Sequence, residues 1–289
     1  MEIISGLNQK KRYFFDIKVY PYLLDHHLED KVILPAVESL IILARAVKTN
    51  YPQMELNCLR KAVFSRFLTI VPDTNCQPVI VDLKNAEDGG IRASLLTSIK
   101  SKTGNISREI NHASVEFLAE DSNELTVPHF RAVNKLKGDC ISIPSATIYR
   151  ELIAFGISYQ NIIGDLSVSS QGVLAYVSGG NYEADEDLLG SPFPLDALMH
   201  AACVWGQRFA GIVSFPVGFE KRIVYQKTKK REEYLVRVVP SSINKDSLIF
   251  DAWIYDKDDV MCESVSGIKM MDVTRGRMRP PDWIKINSE

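Results

Sequence analysis

Two stretches of this chain are apolar nearly all the way round a helix, and they constrain the fold more than any other feature. Pro35 to about Val47 carries Val37, Leu40, Ile41, Leu43, Ala44 and Val47, and Pro194 to about Ile212 carries Leu195, Leu198, Met199, Val204, Trp205 and Phe209. Each opens near a proline, which the first turn tolerates because its missing N–H has no intrahelical acceptor there. A helix without a polar face has to be enclosed by other elements. Membrane does not serve as that enclosure: Leu40–Ala44 and Ala201–Trp205 fall far short of the roughly 20 apolar residues a bilayer span needs.

The remaining sequence supplies the enclosure as strands. Lys11–Tyr20, Gln77–Leu83, Ile91–Ile99, Ser107–Phe117, Gly172–Val177, Phe219–Gln226, Glu233–Val239, Ser247–Tyr255 and Cys262–Val273 are short runs, several of them alternating and rich in β-branched or aromatic residues. Turn residues separate them, as in Glu87-Asp88-Gly89-Gly90 and Ser178-Gly179-Gly180-Asn181. The fold class is α+β and the sheet mainly antiparallel. The helices lie about 160 positions apart, each followed by several strands, so the layout predicts two similar units, 1–121 and 145–289, joined by the polar connection 122–144. Each unit is a sheet curled around one helix, and pairing between the two sheets covers an edge that either would leave open.

Composition narrows the partners and the compartment. With 34 Lys plus Arg against 36 Asp plus Glu, the formal charge of −2 argues against general affinity for nucleic acid or an anionic membrane. Met1–Gln9 lacks the apolar core of a secretory signal, and the five cysteines, Cys58, Cys76, Cys140, Cys203 and Cys262, are scattered without a CxxC pair. A cytoplasmic protein with reduced thiols and no zinc site is expected, Cys203 serving as buried packing. Glu183, Asp185, Glu186 and Asp187 lack the spacing and glycine of a calcium loop, and no phosphate-binding or dinucleotide glycine pattern occurs.

Chemistry concentrates near the helix starts. Of five histidines, His26 and His27 precede the first buried helix and His200 lies inside the second, whereas His112 and His129 read as structural. Asp196, at the start of an otherwise apolar helix, is costly to bury without a partner. One account is a first-turn acid stabilised by the helix dipole. The other is a site, because His200 stands four residues on, on the same face and within reach of the carboxylate.

At these residues the sequence resembles a family. His26-His27-Leu28-Glu29-Asp30-Lys31-Val32-Ile33-Leu34-Pro35 is similar to the HxxxGxxxxP motif of the dehydratase domains of polyketide and polyunsaturated fatty acid synthases, with His26 nine residues before Pro35. Asp196-Ala197-Leu198-Met199-His200 resembles their DxxxQ/H motif, Gly156-Ile157-Ser158-Tyr159-Gln160-Asn161 stands where they carry GxxYGP, and Phe215-Pro216-Val217-Gly218-Phe219 resembles LPFxW. The order is the family's, and the likeness spans essentially the whole chain. It implies a double-hotdog fold, two sheets each wrapped around a long helix, and removal of water from a 3-hydroxyacyl thioester with no cofactor. His26 would be the base and Asp196, kept protonated by its apolar surroundings, the acid; His200 and Tyr159 would donate hydrogen bonds to Asp196. Backbone amides near the start of the first buried helix would receive the enolate charge. Because neighbouring residues of an extended segment point opposite ways, His27 is expected to face away from the cavity.

Two positions depart from the family pattern. Asp30 replaces the motif glycine, which in the family lets the backbone approach the acyl chain, and Gln160-Asn161 replace Gly-Pro. The implied partner is an acyl carrier protein, for which Lys227, Lys229, Lys230 and Arg231 offer a basic cluster; the bland reading of that cluster is a solvated turn. The chain would be a monomer or a homodimer. A silent module that binds an acyl chain or a synthase, and an isomerase that shifts an enoyl double bond, stand as alternatives.

Overall fold

The computed structural model describes residues 10–100, 107–118, 128, 130–182, 188–244 and 247–286. His129, the acidic run from Glu183 to Asp187 and residues 122–127 of the polar connection lie outside them. The first half contains β1 (Lys11–Lys18), a hairpin of β2 (His27–Leu28) and β3 (Lys31–Val32), α1 (Ala36–Asn50), β4 (Cys58–Phe64), β5 (Cys76–Asn85), β6 (Ile91–Lys100) and β7 (Ser107–Leu118). The short helices α2 (Phe130–Val133) and α3 (Ser145–Thr147) flank β8 (Ile141–Pro144), and β9 (Ile162–Ser169), β10 (Gly172–Ser178), α4 (Pro192–Phe209), β11 (Phe215–Val224), β12 (Glu233–Asn244), β13 (Ser247–Tyr255) and β14 (Met261–Met271) complete the second half.

Apart from the hairpin, these strands form one twelve-stranded sheet in the order β1-β5-β6-β7-β4-β11-β14-β13-β12-β10-β9-β8. The strands of each half stay together and the halves meet edge to edge, β4 against β11, with Phe219 opposite Ala62 and Ile223 opposite Cys58. The edge pairing that the sequence predicts between the two sheets joins them into one. α1 lies across β5, β6 and β7, α4 lies across β9 to β13, and the two helices touch. This is the double hotdog.

Each helix is enclosed as its composition requires. In α1, Leu40, Leu43, Ala44, Ala46 and Val47 have no exposed surface, and each such leucine contributes roughly 2 kcal/mol through burial. In α4, Trp205 is held between Phe209 and Phe250, and its indole N–H donates to Ser169 O at 3.0 Å, so its polar edge is satisfied inside the core. Both helices differ from the sequence expectation at their ends. α4 starts at Pro192 because Ser191 caps it, accepting from the Phe193 amide, and stops at Phe209 because Gly211 takes a left-handed φ of 67°. α1 continues through polar Lys48 and Thr49 to Asn50, whose side-chain amide donates to Ala46 O.

The seam between halves depends on one glycine. An added Cβ at Gly218 would lie 2.2 Å from Ala62 O, so only a residue without one lets β11 close on β4. Both strands carry irregular register beside the seam, between Pro216 and Gly218 in β11 and between Arg60 and Val63 in β4. The resulting kink turns Phe215 and Pro216 inward, towards the site.

Candidate active site

His26 follows the short helical turn Pro21–Asp25, in extended conformation. Its own carbonyl accepts Ile33 N–H at 2.9 Å, and its ring Nδ1 lies 3.0 Å from Ile33 O. A carbonyl only accepts, so Nδ1 carries the ring proton and Nε2 keeps a lone pair. The imidazole stacks on Phe155, centroids 4.3 Å apart at 25°, and meets Tyr159 edge-on at 5.0 Å. Burial lowers its pKa from 6.5 to about 4; Asp196 opposes that shift and His200 adds to it. At neutral pH this is an uncharged base.

Asp196 and His200 project from α4, both nearly buried, with His200 Nε2 3.1 Å from Asp196 Oδ2. Since α4 begins at Pro192, Asp196 sits in the second turn, beyond the orphan amides, which removes the first-turn dipole account. The expected hydrogen bonds to Asp196 are not formed. The 3.1 Å approach is out of hydrogen-bonding alignment, and the Tyr159 hydroxyl, expected as a second donor, has no partner among the described residues. The group that does meet His200 is Tyr149, whose hydroxyl accepts Ile162 N–H at 2.9 Å and lies 3.4 Å from His200 Nδ1. Phe155 completes the cluster, its ring 4.3 Å from His26 and 5.1 Å from His200.

His26, Asp196 and His200 therefore line one cavity, of about 310 Å³, between the two halves. Its walls are mostly apolar: Leu28, Ile33, Leu34, Phe64, Phe67 and Leu68 on one side, and Leu152, Ile153, Phe155, Met199, Val213, Phe215 and Met270 on the other. His27, expected to face away, is half-buried and borders the cavity too. Tyr159 stands behind His26, fully buried, its phenol held neutral by burial and by the nearby carboxylates Glu38 and Asp196. Asp30 is not brought to the cavity. It is an exposed residue of the β2–β3 turn, and the left-handed φ of 54° falls on Glu29, one position earlier. Pro35 is the residue preceding α1, its carbonyl accepting the Ser39 amide and hydroxyl, while its neighbours Leu34 and Ala36 line the cavity.

Other candidates settle into structural places. Both ring nitrogens of His112, on the cavity wall, are engaged, with Arg66 O and the Thr97 hydroxyl. Cys203 lines the cavity, and burial pushes its thiol up to about 11, so it stays protonated. Lys227, Lys229, Lys230 and Arg231 lie between β11 and β12, away from the cavity wall. Tyr149, Phe155 and Asp25 escaped the sequence reading; for Phe155 the one available signal was its place next to Gly156 of the tyrosine motif. No described helix is long and apolar enough to cross a membrane.

Comparison with known proteins agrees with this architecture. Two buried helices, one sheet and a cavity at their junction define a double-hotdog protein, and solved structures sharing that fold are all but coextensive with this chain. An N-terminal dehydratase from the difficidin assembly line is 17% identical with a TM-score of 0.68, covering 93% of this chain and 95% of its own. A trans-AT polyketide synthase dehydratase domain from Brevibacillus brevis is 18% identical with a TM-score of 0.70, over 91% and 94%. The dehydratase domain from the CurF module of the curacin polyketide synthase is 19% identical with a TM-score of 0.66, over 93% and 95%. No curated protein matches the sequence. The family profile described as the polyketide synthase dehydratase N-terminal domain matches residues 141–280. Over those residues the chain is similar to the polyketide synthase dehydratase family.

Proposed function

We propose that this protein removes water from a 3-hydroxyacyl thioester presented by an acyl carrier protein, giving the enoyl thioester. The observation that carries the reading is the convergence of neutral His26 and the Asp196 carboxyl group, from opposite halves, on one largely apolar cavity. His26 Nε2 takes the proton from C2 of the acyl chain. The electrons of that C–H bond form the C2–C3 double bond as the C3–O bond breaks, and Asp196 delivers a proton to the departing hydroxyl, which leaves as water. The two residues then exchange protons with solvent and return to their starting states. Charge on the thioester oxygen is received by the first amides of α1, which have no intrahelical acceptors and whose turn contributes Ala36 and Ser39 to the cavity wall. The chemistry asks for no cofactor. The five free thiols accord with a reducing cytoplasm.

The test is mass spectrometry of a carrier protein loaded with 3-hydroxyacyl chains of several lengths, incubated with wild type, His26→Ala and Asp196→Asn proteins. Loss of one water with the wild type alone is expected. The enoyl-loaded carrier, run in parallel, catches the reverse addition. No mass change in either direction at any chain length overturns the proposal.

A further inference from the structure

The residue just before His26 ties the two halves together. Asp25 C=O accepts the Gly156 amide at 2.8 Å, and Asp25 Oδ2 accepts the Ser158 amide at 2.9 Å and the Ser158 hydroxyl. These bonds join segments 133 positions apart. The Ser158 hydroxyl also meets Tyr182 OH at 2.8 Å. The contact leaves no space for a larger residue, since a Cβ on Gly156 would lie 2.5 Å from Asp25 Cγ. Each latch residue has one chain neighbour that touches the imidazole or is the imidazole: His26 follows Asp25, Phe155 precedes Gly156, and Tyr159 follows Ser158. Asp25 itself does not line the cavity.

We propose that Asp25 is a positioning residue, which fixes Phe155 and Tyr159 against the His26 ring and so aims Nε2 into the cavity. The proposal rests on the reading of His26 as the base. Its physical content is that an imidazole held by Ile33 O alone can tilt, whereas one packed on Phe155 and Tyr159, whose segment the latch clamps with three hydrogen bonds, cannot. The titratable groups facing His26 are Asp196 and His200 on α4, the adjacent His27, and the Tyr159 phenol, which burial keeps neutral. A misplacement of about 1 Å at a reacting group costs about 100-fold in rate.

The experiment uses the full chain with Asp25→Ala, Asp25→Asn and Ser158→Ala, and two readouts: kcat and KM for dehydration, and the ¹⁵N NMR titration of the His26 ring. In Asp25→Ala, kcat is expected to fall by about 10- to 100-fold with KM little changed, while the titration midpoint of His26 rises towards about 6.5 as water reaches the ring. Asp25→Asn keeps an acceptor oxygen and restores most of both, and Ser158→Ala falls between. A folded Asp25→Ala protein with wild-type kcat and wild-type His26 titration overturns the proposal. Should Asp25→Ala fail to fold, Ser158→Ala decides by the same readouts, wild-type values overturning it. If the wild type has no dehydratase activity yet the NMR midpoint moves, the functional reading fails and the positioning role stands.

Discussion

The depressed titration of His26 ties the stability of the protein to pH in a way that can be isolated. In the unfolded chain the imidazole titrates near 6.5, and in the folded protein near 4. Above pH 6.5 both states are neutral and His26 adds no pH dependence. Between 6.5 and 4 the unfolded state binds a proton that the folded state refuses, so stability falls as the pH is lowered, and below about 4 the decline stops. At about 1.4 kcal/mol per pH unit, a gap from 6.5 to about 4 amounts to about 3 kcal/mol. Urea unfolding of wild type and His26→Phe at pH 7 and pH 4.5 measures it. The phenyl ring keeps the stack on Phe155 and cannot titrate. His112, also lowered by burial, and the carboxylates are common to both proteins and cancel. Relative to the variant, the wild type is expected to lose about 2–3 kcal/mol more over this range. Equal losses in the two proteins would refute the buried, neutral His26 and with it the base assignment at mildly acid pH.

Three further outcomes follow from other contacts. Arg222 and Glu263 form a buried ion pair at 2.8 Å in the second half, so Arg222→Ala, which strands the carboxylate, should cost about 3–5 kcal/mol in denaturant unfolding, whereas Arg222→Met with Glu263→Leu should be near neutral. Gly218→Ala drives a methyl group against Ala62 O at the seam and should destabilise by about 1–3 kcal/mol, read from the shift in urea midpoint. Tyr149→Phe removes the hydroxyl that serves both Ile162 N–H and His200; stability should drop by about 1–3 kcal/mol for the orphaned amide, and kcat should fall with KM little changed in steady-state assays of the carrier-bound substrate.

What could be read from the sequence is what local geometry decides. Apolar residues on every side of two helices require enclosure whatever encloses them, and the Asp196–His200 pair follows from the helical period alone, because four residues on one helix return to the same face. The strands β4, β8 and β9 escaped notice: β4 contains Arg60-Lys61 within its span, β8 is four residues long, and β9 holds Gly164 and Asp165, so none shows the alternation that marks a half-buried strand. Alternation would set one of His26 and His27 away from the cavity, yet both residues line it; the two-residue strand begins only at His27, and His26 ends the turn before it. At Asp30 the motif alone gave no side-chain direction: the β2–β3 turn leaves Asp30 exposed to solvent and outside the cavity lining, with the left-handed φ on Glu29.

The parts of the site that no pattern announced are those made by pairs distant in sequence. His26 and Asp196 meet only because β4 pairs with β11, and that pairing depends on a glycine whose purpose, avoiding Ala62 O, is invisible until the partner strand is known. The same holds for Asp25. In one dimension it is a charged residue at the end of a short helical turn; in three it is the acceptor for a segment 133 positions away, and the rings on either side of that segment pack on His26. A family motif records the residues that react, since the reaction demands their chemistry. The residues that aim them answer to the packing between two halves, where a hydrogen-bond acceptor of the right reach is enough, and such positions surface only when distances are measured.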